Sequence, residues 1–500
     1  MQLTKMKDLI RVHKRSKNIA LHITEAGEGQ VFIVTSVSDR HDAAEAAKTA
    51  YEAIAGILRE ARMEIVHERI FGSLSVQSLV MASRKEALNS QGIFSDSPLT
   101  YIQGDPPWGE GFAGVIIRAV SNNNSRENIW TVLDSGVPCG RGWRLNGVTH
   151  LVLQNIQAIG SNQFITKNTK HHPPLNPLPS PHSGGFAEAK REGKKEVPSP
   201  LEGEGKGEGE RIHTYDLFSM SRPAQTRLMI ERAERILLEN GASYKDVVRT
   251  WFYLSEILDW YAEFNKVRNE KYGEFGIMPG PGDRELLLPA STGIAGDSRA
   301  GAACAMDLIA VIENNPEESS SLSFPQVKRV GDPSEKKDSG QAGMTELKFR
   351  RGITNDHIDK TRPSIRRLTN PSQLDAFRYG SAFARASVVR NGSTALIEVS
   401  GTAAIDEHGV SLYPGEIRAQ IDCTFDKVQN VLAQEGAQLK DICAATVFVK
   451  QPEFAEIFYE MAADRRLENF PCVCIVADVC REELLFEIDA EAIVKTAVKG

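Results

Sequence analysis

The chain lacks the marks of several protein classes. Its 500 residues carry a net charge of −7, so there is no general attraction to a nucleic-acid backbone. No apolar run approaches the roughly 20 residues of a membrane span. The stretch Met1 to Asn18 is basic (Lys5, Lys7, Arg11, Lys14, Arg15 and Lys17), but no apolar signal core follows it. We therefore expect a cytoplasmic protein with a short basic tail over residues 1–17. There are seven cysteines, none in a pair with zinc spacing. Cys472 and Cys474 share one face of a strand, and reduced, buried thiols are the expectation for all seven. No metal and no cofactor is implied.

What is present is ordinary globular composition, 41% apolar and 25% charged, at a length that suits about three domains. Residues 18–125 read as strand, strand, helix, strand, helix, strand, strand. The strands include 20–23, 31–35, 64–71, 100–103 and 112–120, and the first helix starts after Asp42. Residues 126–313 form a second module. Its strands fall at 128–133, 149–156, 247–254, 285–291 and 302–311, and its helices at 223–239 and 258–275. Inside it, residues 171–211 are rich in proline, glycine and glutamate and read as a disordered insertion. His171, His172 and His182 fall in it, and metal binding is not expected of them. Residues 314–379 read as a linker and 380–500 as a third module.

The modules are repeats. Leu237 to Val247 matches Leu432 to Ile442. Gly241 answers Gly436 and Asp246 answers Asp441, both at a shift of 195 positions. In the first module, Ile57-Leu-Arg-Glu60 answers Ile236-Leu-Leu-Glu239. Three copies of one α+β unit predict a covalent pseudo-trimer with ligand clefts where neighbours meet.

The stretch Pro471 to Ile493 concentrates the candidate chemistry. It reads as a strand, a polar turn and a second strand. In the second strand Leu485, Glu487 and Asp489 share one face, and Phe486, Ile488 and Ala490 the other. Two acids on one face of a buried strand call for a cation or a site. Arg481, in the turn, is near enough in sequence to be that cation. A structural ion pair at a strand end accounts for the same residues.

The repeat resembles the YjgF/RidA (Rid) superfamily, sometimes labelled endoribonuclease L-PSP, whose members form trimers with clefts between subunits. On that resemblance the fold is three tandem Rid-like, chorismate-mutase-like modules. Residues 215–497 also resemble the chorismatases, which are built from two Rid-like halves. The matching pieces are Arg249 to Tyr253, Phe264 to Arg268, Leu288 to Ile294, Asn370 to Gln373, Phe383 to Ala386, Ser400 to Ile405 with His408, and Ala477 to Ile488.

The resemblance implies a hydrolase or lyase that cleaves the enol ether of a small carboxylated metabolite, chorismate or a relative, and releases pyruvate. It implies Glu487 as the catalytic acid, and Arg481, Arg268, Ser400, Gly401, Thr402, His408 and Cys480 as substrate-binding positions. Read from the residues alone, Arg268 fits a solvated helix face and Ser400 to Thr402 a tight strand end. His408 fits an ordinary loop and Cys480 simple packing.

The chain also departs from the pattern. Phe252 stands where the family's tryptophan-asparagine-tyrosine segment has asparagine. Asp478 and Gly296 stand where Rid deaminases carry a substrate-gripping arginine, and Arg118 of the first module is a poor replacement. A whole extra module, residues 18–125, precedes the chorismatase-like part. The rival readings are an enamine or imine deaminase and a non-catalytic pseudo-trimer that binds a metabolite. Self-association is left open, and no nucleic-acid or membrane partner is expected.

Overall fold

The computed structural model describes residues 10–16, 18–26, 29–121, 128–159, 219–280, 286–313 and 363–495. The first nine residues of the basic tail, the insertion 171–211 with its histidines, and most of the linker lie outside these residues.

Module 1 contains β1 (Ile10–Ser16), β2 (Ile19–Glu25), β3 (Gln30–Val37), α1 (Ala43–Ala61), β4 (Met63–Gly72), α2 (Gln77–Ser90), β5 (Thr100–Gln103) and β6 (Phe112–Ser121). Local chemistry sets its helix ends. The Asp42 side chain accepts the Glu45 N–H at the start of α1, and Arg62 closes it in the left-handed region at φ 53°.

Module 2 contains β7 (Ile129–Asp134), β8 (Val137–Leu145), β9 (Val148–Ile156), α3 (Arg222–Glu239), β10 (Val247–Leu254), α4 (Ile257–Glu274), β11 (Ala290–Ala295) and β12 (Cys304–Glu313). Module 3 contains β13 (Ser364–Leu368), β14 (Ala386–Asn391), β15 (Thr394–Ala403), α5 (Ile417–Ala433), β16 (Ile442–Val449), α6 (Phe454–Asp464), β17 (Cys472–Val476) and β18 (Phe486–Lys495).

Each module is one six-stranded sheet backed by its two helices. The strand orders are β1-β2-β3-β6-β4-β5, β7-β8-β9-β12-β10-β11 and β13-β14-β15-β18-β16-β17. This is one topology three times, with a single parallel pair in each sheet (β4–β5, β10–β11 and β16–β17). The expected α+β repeat is therefore present.

Several elements differ from expectation. The end of the basic tail is β1, paired with β2. The strands β8 and β13 were not foreseen, and β11 starts five residues later than the strand expected at 285. The strands at the C-terminus, β17 and β18, are not neighbours, because β16 runs between them.

The sheets alternate in what they bury. One face of each packs under its own helices, as Phe486, Ile488, Ala490 and Ala492 of β18 do with Phe425 and Phe458. The other faces meet in one shared core that includes Phe32 and Ile116 of module 1, Trp143 and Trp251 of module 2, and Leu396 and Phe448 of module 3. At the junctions β5 lies against β9, β11 against β15 and β17 against β3. Among the described residues no helix is long and apolar enough to cross a membrane.

Candidate active site

Glu487 sits near the start of β18, on the face turned away from α5 and α6. Asp489 and Glu491 follow it on that face, and all three are buried, Glu487 to 5% exposure. The alternation read from the sequence is thus real. Its meaning is that the acids point into the junction between modules.

A cleft of about 500 Å³ opens beside Glu487, between modules 2 and 3. Module 2 contributes Tyr261 and Arg268 of α4 and Ser291 and Gly293 of β11. Module 3 contributes Gln373, Tyr379 and Arg385 ahead of β14, Gly401 of β15, and Cys480 and Arg481 from the loop before β18. Five sequence-predicted positions, Glu487, Arg481, Arg268, Gly401 and Cys480, therefore line one cavity.

The β15–β18 pairing shifts register between Val399 and Thr402, and this irregularity sets Gly401 over the acid. A Cβ on Gly401 would lie 2.1 Å from Glu487 Oε1, so only glycine leaves the carboxyl its place.

Arg268 is buried, not solvated. It donates to Asn265 Oδ1 at 2.6 Å. The rings of Phe252, Phe264 and Phe383 stand 5.4 to 5.7 Å from its guanidinium carbon. The departure at Phe252 thus supplies a face for a cleft arginine. Arg385 donates to the Leu374 carbonyl and to Tyr379 Oη. Arg481 donates to the Gly409 carbonyl at 2.8 Å and to Ser411 Oγ at 3.1 Å. The guanidinium carbons of Arg385 and Arg481 stand 5.7 and 5.4 Å from the Tyr379 ring.

Burial pushes the Glu487 carboxyl up to about 8, and the charge of Asp489 adds to the rise. Arg249 and Arg385 oppose it. The expected pairing of Arg481 with Glu487 is therefore corrected: the cations that act on this acid come from β10 and from the segment before β14. Burial likewise pushes the Cys480 thiol up to about 12, which keeps it a neutral thiol.

The remaining predicted positions stand elsewhere. Ser400 is fully buried. Its hydroxyl donates to the Ala384 carbonyl at 2.6 Å and accepts the Ser291 N–H at 2.8 Å, stitching module 2 to module 3. Thr402 Oγ1 donates to the Ser400 carbonyl, and the Gly401 N–H goes to Thr292 Oγ1. The hydroxyls of Ser400 and Thr402 and the Gly401 N–H, implied as substrate-binding groups by the resemblance, are thus used inside the fold. His408 is an exposed loop residue and does not line the cleft.

Tyr261, Gln373, Tyr379 and Arg385 were missed. Gln373 and Arg385 lie inside sequence pieces that carried the chorismatase resemblance, which was the available signal.

Strand register explains why the other junctions differ. Glu487 stands opposite Phe448 of β16. The same place in module 2 is Ala305, opposite Tyr253, and in module 1 it is Gly114, opposite Phe71. Only module 3 has an acid there. The junction of modules 1 and 2 holds a smaller cavity of about 260 Å³ whose lining includes Thr100, Asn155, Tyr253 and Ala305 but no arginine. At the junction of modules 3 and 1, Ile475 fills the space: a Cβ on Gly104 would lie 2.4 Å from its Cδ1.

Residues 381–494 match the family model described as Endoribonuclease L-PSP. No curated protein matches the chain. Among solved structures, one described as a chorismatase is 16% identical, with 86% of this chain and 93% of that one aligned at a TM-score of 0.47. A hypothetical protein from Giardia lamblia is 22% identical, over 26% of this chain and 97% of its own, at 0.21. RidA from an Antarctic Psychrobacter is 18% identical, over 26% and 99%, at 0.22.

Proposed function

We propose that this chain, whose last module belongs to the endoribonuclease L-PSP (YjgF/RidA) family, is an enzyme that cleaves the enol ether of a small dicarboxylate such as chorismate. One observation carries the reading: a buried carboxyl raised to about 8 faces a cleft that is also lined by Arg268, Arg385 and Arg481.

The chemistry follows from those groups. Paired guanidinium N–H groups match the two oxygens of a carboxylate, so the arginines bind and orient the substrate. Glu487, carrying its proton at neutral pH, gives it to the terminal enol-ether carbon, and that CH₂ becomes CH₃. The positive charge left on the ether-bearing carbon sits beside the newly formed Glu487 carboxylate. Water adds to that carbon and returns a proton to Glu487. The hemiketal then breaks its C–O bond to give pyruvate and the alcohol. Protons balance, and no cofactor enters.

The deaminase reading asks for a substrate-gripping arginine at the places held here by Asp478 and Gly296, or for Arg118 in its stead. Arg118 does not supply it: it is buried against Gln30 and lies 3.7 Å from Glu398. Asp478 is half-exposed and 3.8 Å from Lys450.

The pH dependence tests the assignment. The active form is the protonated acid, so kcat/KM for pyruvate release from chorismate is expected to be level below pH 8. Above it, the rate falls about tenfold per pH unit. A rate that climbs through pH 8 to 9 contradicts Glu487 as a general acid. The arginines give a second check. Arg268→Met is expected to raise KM by about tenfold or more, because a buried charge-assisted contact to a carboxylate is lost. An unchanged KM removes Arg268 from substrate binding.

A further inference from the structure

Glu487 is raised partly by a neighbour that no cleft residue explains. Asp489, 1% exposed, lies two positions along β18 on the same face, about 7 Å away by strand geometry. Trp251 Nε1 donates to its Oδ2 at 3.0 Å, and the Thr446 backbone N–H donates to its Oδ1 at 3.2 Å. Arg249 Nη2 stands 3.3 Å and Arg69 Nη1 4.0 Å from Oδ2. Every one of these partners is a donor without acceptor capacity. Both carboxyl oxygens of Asp489 thus face donors and cations. Both guanidiniums also stand 4.3 Å from the Trp251 ring, so the anion, the indole and the two cations form one cluster.

We propose that Asp489 is a positioning residue for the reaction: fixed as an anion where all three modules meet, by Arg69 of module 1 and by Trp251 and Arg249 of module 2, it keeps Glu487 in its acid form. Module 1 lines no part of the cleft and enters the chemistry through this contact. The inference rests on Glu487 being the acid.

The groups that face Glu487 come from several elements. They are Asp489 on its own strand, Arg249 of β10, Arg385 ahead of β14, Arg268 and Tyr261 of α4, and Cys480 and Arg481 of the preceding loop. Asp489 is the only carboxylate among them. The corresponding residue of module 2 has other work: Asp307 takes the Thr100 hydroxyl and the Asn155 N–H. In module 3 the matching N–H, that of Gly401, goes to Thr292 instead, which leaves Asp489 to Trp251 and the arginines.

The test is a titration of the full chain with ¹³C-labelled glutamate carboxyls, followed by NMR, with Glu487→Gln assigning the signal. In the wild type a glutamate carboxyl is expected to titrate well above the usual range. In Asp489→Asn its midpoint falls by about one pH unit or more, since a like charge at about 7 Å is removed. The alkaline limb of pyruvate release moves down with it, and Asp489→Glu restores both. An unmoved midpoint in a folded Asp489→Asn protein overturns the proposal. If that variant does not fold, a wild type without a high-titrating signal that vanishes in Glu487→Gln overturns it equally. A midpoint that moves in a protein releasing no pyruvate sinks the enol-ether reading and leaves the coupling. Pyruvate release with an unmoved midpoint does the reverse.

Discussion

Glu487→Gln is expected to lower kcat for pyruvate release by about 10²- to 10⁴-fold, the range of a lost general acid. Glutamine keeps the shape of the side chain and fits beneath Gly401, where a Cβ would be only 2.1 Å from the present oxygen. It has no proton of suitable acidity to give to carbon. The cleft arginines are untouched, so substrate affinity stays within a few-fold. Steady-state kinetics beside a ligand-induced rise in melting temperature separates the two effects. A variant that keeps more than a tenth of wild-type kcat would falsify the role of Glu487. A variant that loses both turnover and binding points to a collapsed cleft.

Arg69→Met is expected to destabilise the chain by about 3–5 kcal/mol, the cost of removing one partner from a buried ion pair. Arg69 is 2% exposed and donates to Glu491 Oε1 at 3.0 Å across the junction of modules 1 and 3. Methionine fills much of the volume but leaves Glu491 without its cation, while Asp489 loses one of its two guanidiniums. The destabilisation is therefore an electrostatic and desolvation effect more than a packing one. Replacing Glu491 by leucine as well removes the stranded charge, and the double variant is expected to regain most of the loss. Denaturant midpoints at unchanged slope measure both. A single variant within about 0.5 kcal/mol of wild type would show that this contact contributes little to holding the modules together.

Much of this was legible in the sequence because it is local. The alternation along β18 put Glu487 and Asp489 on one face, and the matched spacing of Gly241 with Asp246 and Gly436 with Asp441 marked the repeat. What was missed depends on contacts between distant segments. The strand β8 was given no element, and its glycines answer to segments distant from them. Gly140 is there because a Cβ would meet the Val152 carbonyl at 2.0 Å, and Gly142 because a Cβ would strike the Trp130 ring at 2.2 Å. The strand β13 read as linker because Arg366 and Arg367 suit an exposed edge as well as a loop.

Arg481 was taken as the cation for Glu487 because a turn keeps sequence neighbours close. The fold instead runs β16 between β17 and β18 and turns Arg481 to the Gly409 carbonyl, while Arg249 and Arg385 arrive from elsewhere. Ser400 and Thr402 have the residue types of an anion site. The Ser400 hydroxyl is taken up by the Ala384 carbonyl and the Ser291 N–H, partners from distant segments, while the Thr402 hydroxyl turns back to the Ser400 carbonyl two residues before it.

Proton delivery from Glu487 to carbon is the centre of the account, and the isotope content of the released pyruvate tests it most directly. With chorismate turned over in D₂O and followed by NMR at early times, the account predicts pyruvate whose methyl group carries one deuterium, formed by wild type and not by Glu487→Gln. Pyruvate with an all-protium methyl group, or none formed by wild type, would contradict it.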